Sequence, residues 1–213
     1  PRIKPPFPAI QGLFGCPTVV NNVETISAVP FIIGKGSEVY KKLGTEKSSG
    51  TKLFSVCGPV MKPGVYEVEM GTPMKKFLME NVGGMKPGKA LKAVVPGGSS
   101  MPVLTAKEVE EVNLDYESIA AKGSLLGSGG MIVIDEDTCM GKALENLAHF
   151  YAHESCGQCS PCREGTGWSY KILKRMVAEG GKKGDIELLL DIGNKMAGKT
   201  ICVLADSLSM PIA

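Results

Sequence analysis

Residues 156–162 read CGQCSPC, which places Cys156, Cys159 and Cys162 within seven residues of one another. A fourth cysteine, Cys202, lies forty residues after Cys162. A cubane cluster is bulky, and three cysteines at this spacing can surround one side of it while the fourth thiolate comes from elsewhere in the sequence. The pattern therefore predicts a [4Fe–4S] cluster bound by Cys156, Cys159, Cys162 and Cys202.

Two other interpretations of these cysteines stay open. Structural zinc is typically bound by two separated C-x₂-C pairs, and the second pair is missing here. A metal-free role is less typical, because buried unreactive cysteines usually occur singly. The remaining cysteines, Cys16, Cys57 and Cys139, are predicted to be small buried hydrophobic residues without a ligand role.

Several neighbours of the cysteines have predicted roles. Gly157 lets the backbone approach a cluster closely, because it has no Cβ. Pro161 is expected to prevent the cysteine loop from forming continuous helix. Arg163 and Lys199 could place positive charge near the cluster and raise its reduction potential. Solvent-exposed cations are an equally good interpretation of these two residues.

The hydrophobic pattern predicts an α+β protein with a β-grasp module followed by a small helical bundle that carries the iron–sulfur cluster. In the module, residues 51–104, two strands form a hairpin, and a short helix and the strand Leu91–Val95 follow. Met61–Gly64 is typical of a type II turn, with a positive φ at Gly64. The apolar positions after residue 136 recur with helical spacing and predict four helices.

This pattern divides the sequence into four regions. Residues 1–50 contain a Pro-rich extended lead and a connector with a short helix at Ser37–Leu43, and residues 51–104 form the module. Residues 105–135 are predicted to be a connector that contains one apolar strand, and residues 136–213 the cluster-binding helical domain. The sequence begins with Pro1 and ends with Ala213, which we interpret as an internal piece of a longer protein.

The charge balance excludes some classes of partner. Lys and Arg total 24 against 22 Asp and Glu, for a net charge of +2. This balance is too even to predict binding to nucleic acid. The sequence has no apolar run near the ~20 residues that a membrane span needs, so we expect no direct membrane insertion. Clustered cysteines favour metal chemistry in a reducing compartment over a secreted disulfide framework.

Three segments resemble one known family. Residues 154–168, ESCGQCSPCREGTGW, are similar to the cluster-binding signature of the NADH-binding flavoprotein subunit of respiratory complex I, which is the F subunit in bacteria and the 51 kDa subunit in mitochondria. Residues 200–206, TICVLAD, match the segment of that family with the fourth cluster ligand. Residues 15–25, GCPTVVNNVET, match a segment near its flavin.

The resemblance implies an enzyme function. In that family FMN accepts hydride from NADH and passes single electrons to the [4Fe–4S] cluster. It implies that Val20, Asn21, Asn22 and Thr25 lie against FMN, a role for which side-chain amides are suitable. From the residues alone, Asn21 and Asn22 would be a turn or a helix cap.

The resemblance also implies partners and a location. We expect other subunits of a multisubunit oxidoreductase, including a second iron–sulfur subunit, and a cytoplasmic location at the inner face of the membrane through those subunits. The family's Gly-rich flavin- and nucleotide-binding segment is missing from this sequence. These 213 residues by themselves are therefore expected to bind FMN and NADH poorly and not to oxidise NADH.

Other functions remain as alternatives. NAD-linked hydrogenases and formate dehydrogenases contain similar flavoprotein subunits, so the final electron acceptor is open. A different class is a zinc-stabilised or metal-free docking module of a multisubunit complex.

Overall fold

The computed structural model describes residues 5–213. The predicted extended lead falls partly outside this range, and residues 5–7 have no regular structure. The apolar stretch that follows contains helix α1 (Val23–Lys35), and the short helix predicted after it is α2 (Ser37–Lys41). A salt bridge of 2.9 Å between Glu24 and Lys52 connects α1 to the first strand of the sheet.

The centre of the fold is one mixed sheet of five strands. The strands are β1 (Thr51–Cys57), β2 (Gly64–Glu69), β3 (Leu91–Val95), β4 (Leu104–Thr105) and β5 (Gly130–Asp135). Their order across the sheet is β2-β1-β5-β3-β4. The central pair, β1 and β5, is parallel, whereas β1–β2, β3–β5 and β3–β4 are antiparallel. The α+β class and the predicted hairpin are confirmed.

One face of the sheet is covered by a short helical segment. Helix α3 (Met74–Lys76) continues into one π-helical turn, Phe77–Asn81. The ring of Phe77 packs against Phe54 and Tyr66 of the hairpin, at centroid distances of 5.8 and 5.7 Å. A hairpin, a covering helix and a parallel final strand at the centre form the β-grasp arrangement. The short helices α4 (Ala106–Val109) and α5 (Tyr116–Ala121) precede β5.

Two expectations about this module differ from the structure. Gly64 does not have a positive φ, so the predicted type II turn is wrong. The positive φ is at Gly58, at +118°, where a Cβ would lie 2.2 Å from the carbonyl oxygen of Val133. The central strand β5 also lies within residues 105–135, which the sequence treats as a connector. We therefore propose module bounds of 51–135.

The remaining residues form the predicted bundle of four helices. They are α6 (Met140–Glu154), α7 (Ser160–Glu179), α8 (Asp185–Met196) and α9 (Leu204–Ile212). Their core includes Leu173 of α7, Leu189 of α8 and Leu208 of α9, all at most 4% exposed. Gly165 allows α7 and α8 to approach closely, because a Cβ there would lie 2.4 Å from the sulfur of Met196.

Two hydrogen bonds connect the bundle to the module. The hydroxyl groups of Tyr151 in α6 and Ser99 in the loop after β3 lie 2.8 Å apart. Lys92 Nζ donates to the carbonyl oxygen of Thr138, just before α6, at 2.7 Å. The start of the bundle is therefore fixed against the sheet on which the module is built.

A buried ion pair holds α7 against the start of α8. Arg175 Nη2 and the backbone N–H of Lys182 donate to the carboxylate of Asp185 at 2.6 and 2.7 Å. The hydrogen bond from Arg175, followed by that from Lys182, lowers the pKa of Asp185. A carboxyl group whose pKa is lower in the folded state stabilises the fold above its unfolded pKa of ~3.9, and this stabilisation is lost as pH falls through the folded pKa.

The variant Asp185→Asn should therefore reduce the free energy of unfolding near pH 7, because it removes the charge that pairs with Arg175. The difference from wild type should shrink steadily as pH falls below ~4. Urea denaturation at a series of pH values measures it. A stability difference that is independent of pH would contradict the assigned role of the Asp185 charge.

Candidate metal centre

The structure brings the predicted cluster cysteines to one end of the helical bundle. Cys156 and Cys159 lie in the connection between α6 and α7, and Cys162 is in the first turn of α7. Cys202 lies between α8 and α9, two residues before α9 begins. All four thiols are free of disulfide bonds. Cys162 is buried, Cys159 is half-buried, and Cys156 and Cys202 are exposed.

Pro161 has a different role from the predicted one. It lies in the first turn of α7 and begins the helix instead of preventing it. This is possible because the first N–H groups of a helix have no intrahelical partner, so a proline there loses no hydrogen bond. The turn over residues 156–159 is therefore short, and Cys162 projects from a rigid helix.

Arg163 holds the cysteine loop in its conformation. Its Nη1 donates to the carbonyl oxygen of Gly157 at 2.7 Å, and its Nη2 donates to Ser160 Oγ at 3.4 Å. The same guanidinium forms a 2.9 Å ion pair with Glu164. Gly157 has a φ of +78°, in the left-handed region that favours glycine. Arg163 thus connects the loop to the start of α7, and a carboxylate neutralises much of its charge.

The contact that brings the distant segment to the loop is a hydrogen bond to sulfur. The backbone N–H of Ile201 donates to Cys159 Sγ at 3.5 Å, between residues forty-two positions apart. Packing of α9 on α6, α7 and α8 places the segment before α9 beside the loop. Lys199, the other predicted cation, donates from Nζ to the carbonyl oxygen of Asn194 at 3.4 Å.

Ser155 is a residue of this site that the sequence patterns did not indicate. Its Oγ lies 3.3 Å from Cys162 Sγ, and the same oxygen accepts a hydrogen bond from the backbone N–H of Gly157 at 3.3 Å. Nothing in the cysteine spacing distinguishes this serine from an ordinary residue at the end of a helix. Only its position directly before Cys156 could have drawn attention to it.

Within residues 5–213, no three His, Cys, Asp or Glu side chains converge as ligands of a single metal ion would. This geometry differs from that of a cubane cluster, in which each cysteine binds a different iron. The four sulfurs of a cluster site are therefore farther apart than the ligands of one ion.

The three other cysteines are not buried. Cys16, Cys57 and Cys139 are all exposed, so the prediction that they are buried hydrophobic residues is wrong. Cys57 lies on β1, and its thiol donates to the carbonyl oxygen of Met131 at 3.6 Å. Cys139 is the N-cap residue of α6, and hydrogen bonds from the backbone N–H groups of Lys142 and then Gly141 lower the pKa of its thiol.

The residues for which the resemblance implies contact with FMN lie at the start of α1. Asn22 caps this helix, since its Oδ1 accepts hydrogen bonds from the backbone N–H groups of Glu24 and Thr25 at 2.8 and 3.3 Å. Asn22 and Thr25 also line an open cavity of about 1020 Å³ between α1 and the module. Val20 and Asn21 precede the helix, and both are exposed.

Comparisons with known proteins agree with this geometry. The family model described as the NADH-ubiquinone oxidoreductase-F iron–sulfur binding region matches residues 142–213, which contain all four cluster cysteines. The chain is homologous to the F subunit of this oxidoreductase. The family model of the SLBB domain matches residues 52–133, a range that covers the sheet almost completely.

Curated F subunits of NADH-quinone oxidoreductase are similar over the whole chain. The protein of Rhizobium meliloti with this name, the second of its kind there, is 47% identical over 210 residues, which are 99% of this chain and 50% of that protein. The F subunit of Rickettsia bellii is 46% identical over 213 residues, which are 100% of this chain and 51% of that protein. The resemblance found in the sequence is confirmed, and the chain spans about half the length of the curated relatives it matches.

A solved structure has the same fold. A polypeptide of an NAD⁺-reducing [NiFe]-hydrogenase in the air-oxidized state matches with a TM-score of 0.81 and 36% identity. The match covers 100% of this chain and 36% of the hydrogenase polypeptide. Among residues 5–213, no helix is both long enough and apolar enough to cross a bilayer.

Proposed function

We propose that this chain binds a [4Fe–4S] cluster through Cys156, Cys159, Cys162 and Cys202, and that the cluster relays electrons within an NADH-oxidising enzyme. The observation that carries the proposal is the hydrogen bond from the Ile201 N–H to Cys159 Sγ. The neighbour of Cys202 thereby lies against the cysteine loop, as a fourth ligand requires.

The chemistry of the donor set fits this cluster. Four thiols without disulfide bonds come from two segments, so the thiolates approach from different directions. The positive φ of Gly157 curves the loop, and the helix start at Ser160 fixes the direction of Cys162. A structural zinc site would more typically combine two C-x₂-C pairs, and the sequence contains a C-x₂-C-x₂-C run and a single distant cysteine.

The residues of the chain have separate roles in this site. When bound, a [4Fe–4S] cluster accepts and gives up one electron at a time. Cys162 is only 7% exposed, so α7 shields one side of the site from water. Arg163 keeps the carbonyl group of Gly157 turned toward α7. The exposed positions of Cys156 and Cys202 leave another side open, where a redox partner could approach.

In the complete subunit, we propose that NADH reduces FMN and that FMN reduces the cluster, as the similarity to the F subunit of complex I implies. Val20, Asn21, Asn22 and Thr25 are the proposed FMN contacts. The proposed partners are the other subunits of a multisubunit oxidoreductase, including a second iron–sulfur subunit. We place the chain on the cytoplasmic side, attached to the membrane only through these partners.

The electron acceptor is proposed to be a quinone. Subunits named for quinone reduction are 46–47% identical to this chain, compared with 36% for the NAD⁺-reducing hydrogenase. The hydrogenase has the same fold, so a soluble hydrogen-linked enzyme is the second candidate.

Replacing the distant cysteine tests the proposed ligand set. Cys202→Ala should lose most of its bound iron and its reduced-state EPR signal, because the fourth thiolate is gone. The matched control is Cys139→Ala, which removes another exposed cysteine beside a helix start and should keep both. Iron analysis and EPR after dithionite reduction of anaerobically purified protein measure the difference. Full iron content and an unchanged signal in Cys202→Ala would contradict the ligand role of Cys202.

The proposed FMN contacts can be tested on these 213 residues by themselves. We expect only millimolar affinity for FMN, since these residues form one side of a flavin site. NMR titration with FMN should shift the backbone amide signals of residues 20–25 more than those of the module. Shifts concentrated elsewhere, or none at millimolar FMN, would rule out these contacts. Riboflavin without its phosphate is the control that separates ring contacts from phosphate contacts.

A further inference from the structure

The buried sulfur of Cys162 has one side-chain hydrogen-bond partner among the described residues, Ser155. The two atoms, Ser155 Oγ and Cys162 Sγ, are 3.3 Å apart. Ser155 is the residue that ends α6, and Cys162 is in the first turn of α7. The contact therefore crosses the whole cysteine loop, from its beginning to its end.

The surroundings of Ser155 determine which atom donates. Ser155 Oγ already accepts a hydrogen bond from the backbone N–H of Gly157 at 3.3 Å. A cysteine that binds iron is a thiolate and has no proton to give. With Cys162 ligated, the only proton available between the two atoms is that of the Ser155 hydroxyl. The serine must then donate and the sulfur must accept.

We infer that Ser155 is a positioning residue that raises the reduction potential of the cluster; this inference rests on the proposed function. One-electron reduction makes a cluster and its ligand sulfurs more negative. A hydrogen bond to a ligand sulfur therefore stabilises the reduced form more than the oxidised form. The effect is strengthened at Cys162 because this residue is only 7% exposed, and hydrogen bonds are electrostatically stronger away from water.

The backbone acts on a second sulfur in the same direction. The N–H of Ile201 donates to Cys159 Sγ, and no side-chain substitution removes that bond. Arg163 contributes less, since its guanidinium is paired with Glu164. Ser155 is therefore the contact to sulfur at this site that a single substitution can remove while every ligand stays in place.

The test compares three variants of the full 213-residue protein. Ser155→Ala removes the hydroxyl group, and Ser155→Thr keeps it. Ser160→Ala is the matched control, because this second loop serine contacts Arg163 and no sulfur. Each protein is purified anaerobically and analysed for iron. Its potential is then measured by EPR-monitored reduction with dithionite and redox mediators.

We expect Ser155→Ala to load the cluster and to disfavour its reduced form up to about tenfold, which corresponds to a potential ~59 mV lower for one electron. Ser155→Thr and Ser160→Ala should remain at the wild-type potential. A loaded Ser155→Ala protein with an unchanged potential would overturn the inference and leave the proposed function intact. Loss of the cluster in Ser155→Ala would also overturn it, because a tuning residue is not required for assembly. A wild-type protein without iron would instead defeat the proposed function.

Discussion

A cubane cluster needs four thiolates from different directions, and a loop of seven residues cannot supply them all. The constraint on which this half of the fold depends is therefore the return of the backbone after α8 to the cysteine loop. The hydrogen bond between Ile201 and Cys159 is the point where the two segments meet. Its geometry is set by the bundle core, where α7 and α8 approach closely at Gly165 and Leu208 of α9 is fully buried. Packing far from the cysteines thus determines where Cys202 lies.

The β-grasp module and the bundle act as one support for this site. The parallel central pair of strands needs a long crossover connection, and the residues between β1 and β5 provide the rest of the sheet and its covering helix. The backbone leaves β5 and enters α6 at once, so the sheet fixes the start of the helix that ends at Ser155. The contact between Tyr151 and Ser99 secures the same helix near its other end. The loop therefore begins from a position that both units define.

The sequence was informative wherever one residue type has one physical meaning. Cysteine spacing indicated the ligand set, and hydrophobic periodicity indicated the hairpin, β3 and the four bundle helices. It was less informative where the same residue suits several roles. Pro161 was expected to break a helix, but proline is equally suitable for the first turn of one. The positive φ of the hairpin region belongs to Gly58, because only the approach of β5 requires a residue without a Cβ there. The exposure of Cys139 and the contact made by Ser155 depend on tertiary packing, which has no local pattern.

The most direct test of the central claim is the iron and acid-labile sulfide content of the wild-type protein, purified anaerobically, together with an EPR spectrum after dithionite reduction. A [4Fe–4S] cluster held by these cysteines predicts about four iron and four sulfide per polypeptide and a signal that appears only on reduction. Zinc in place of iron, after both anaerobic purification and reconstitution with iron and sulfide, would contradict the account. The protein would then be a zinc-stabilised docking module.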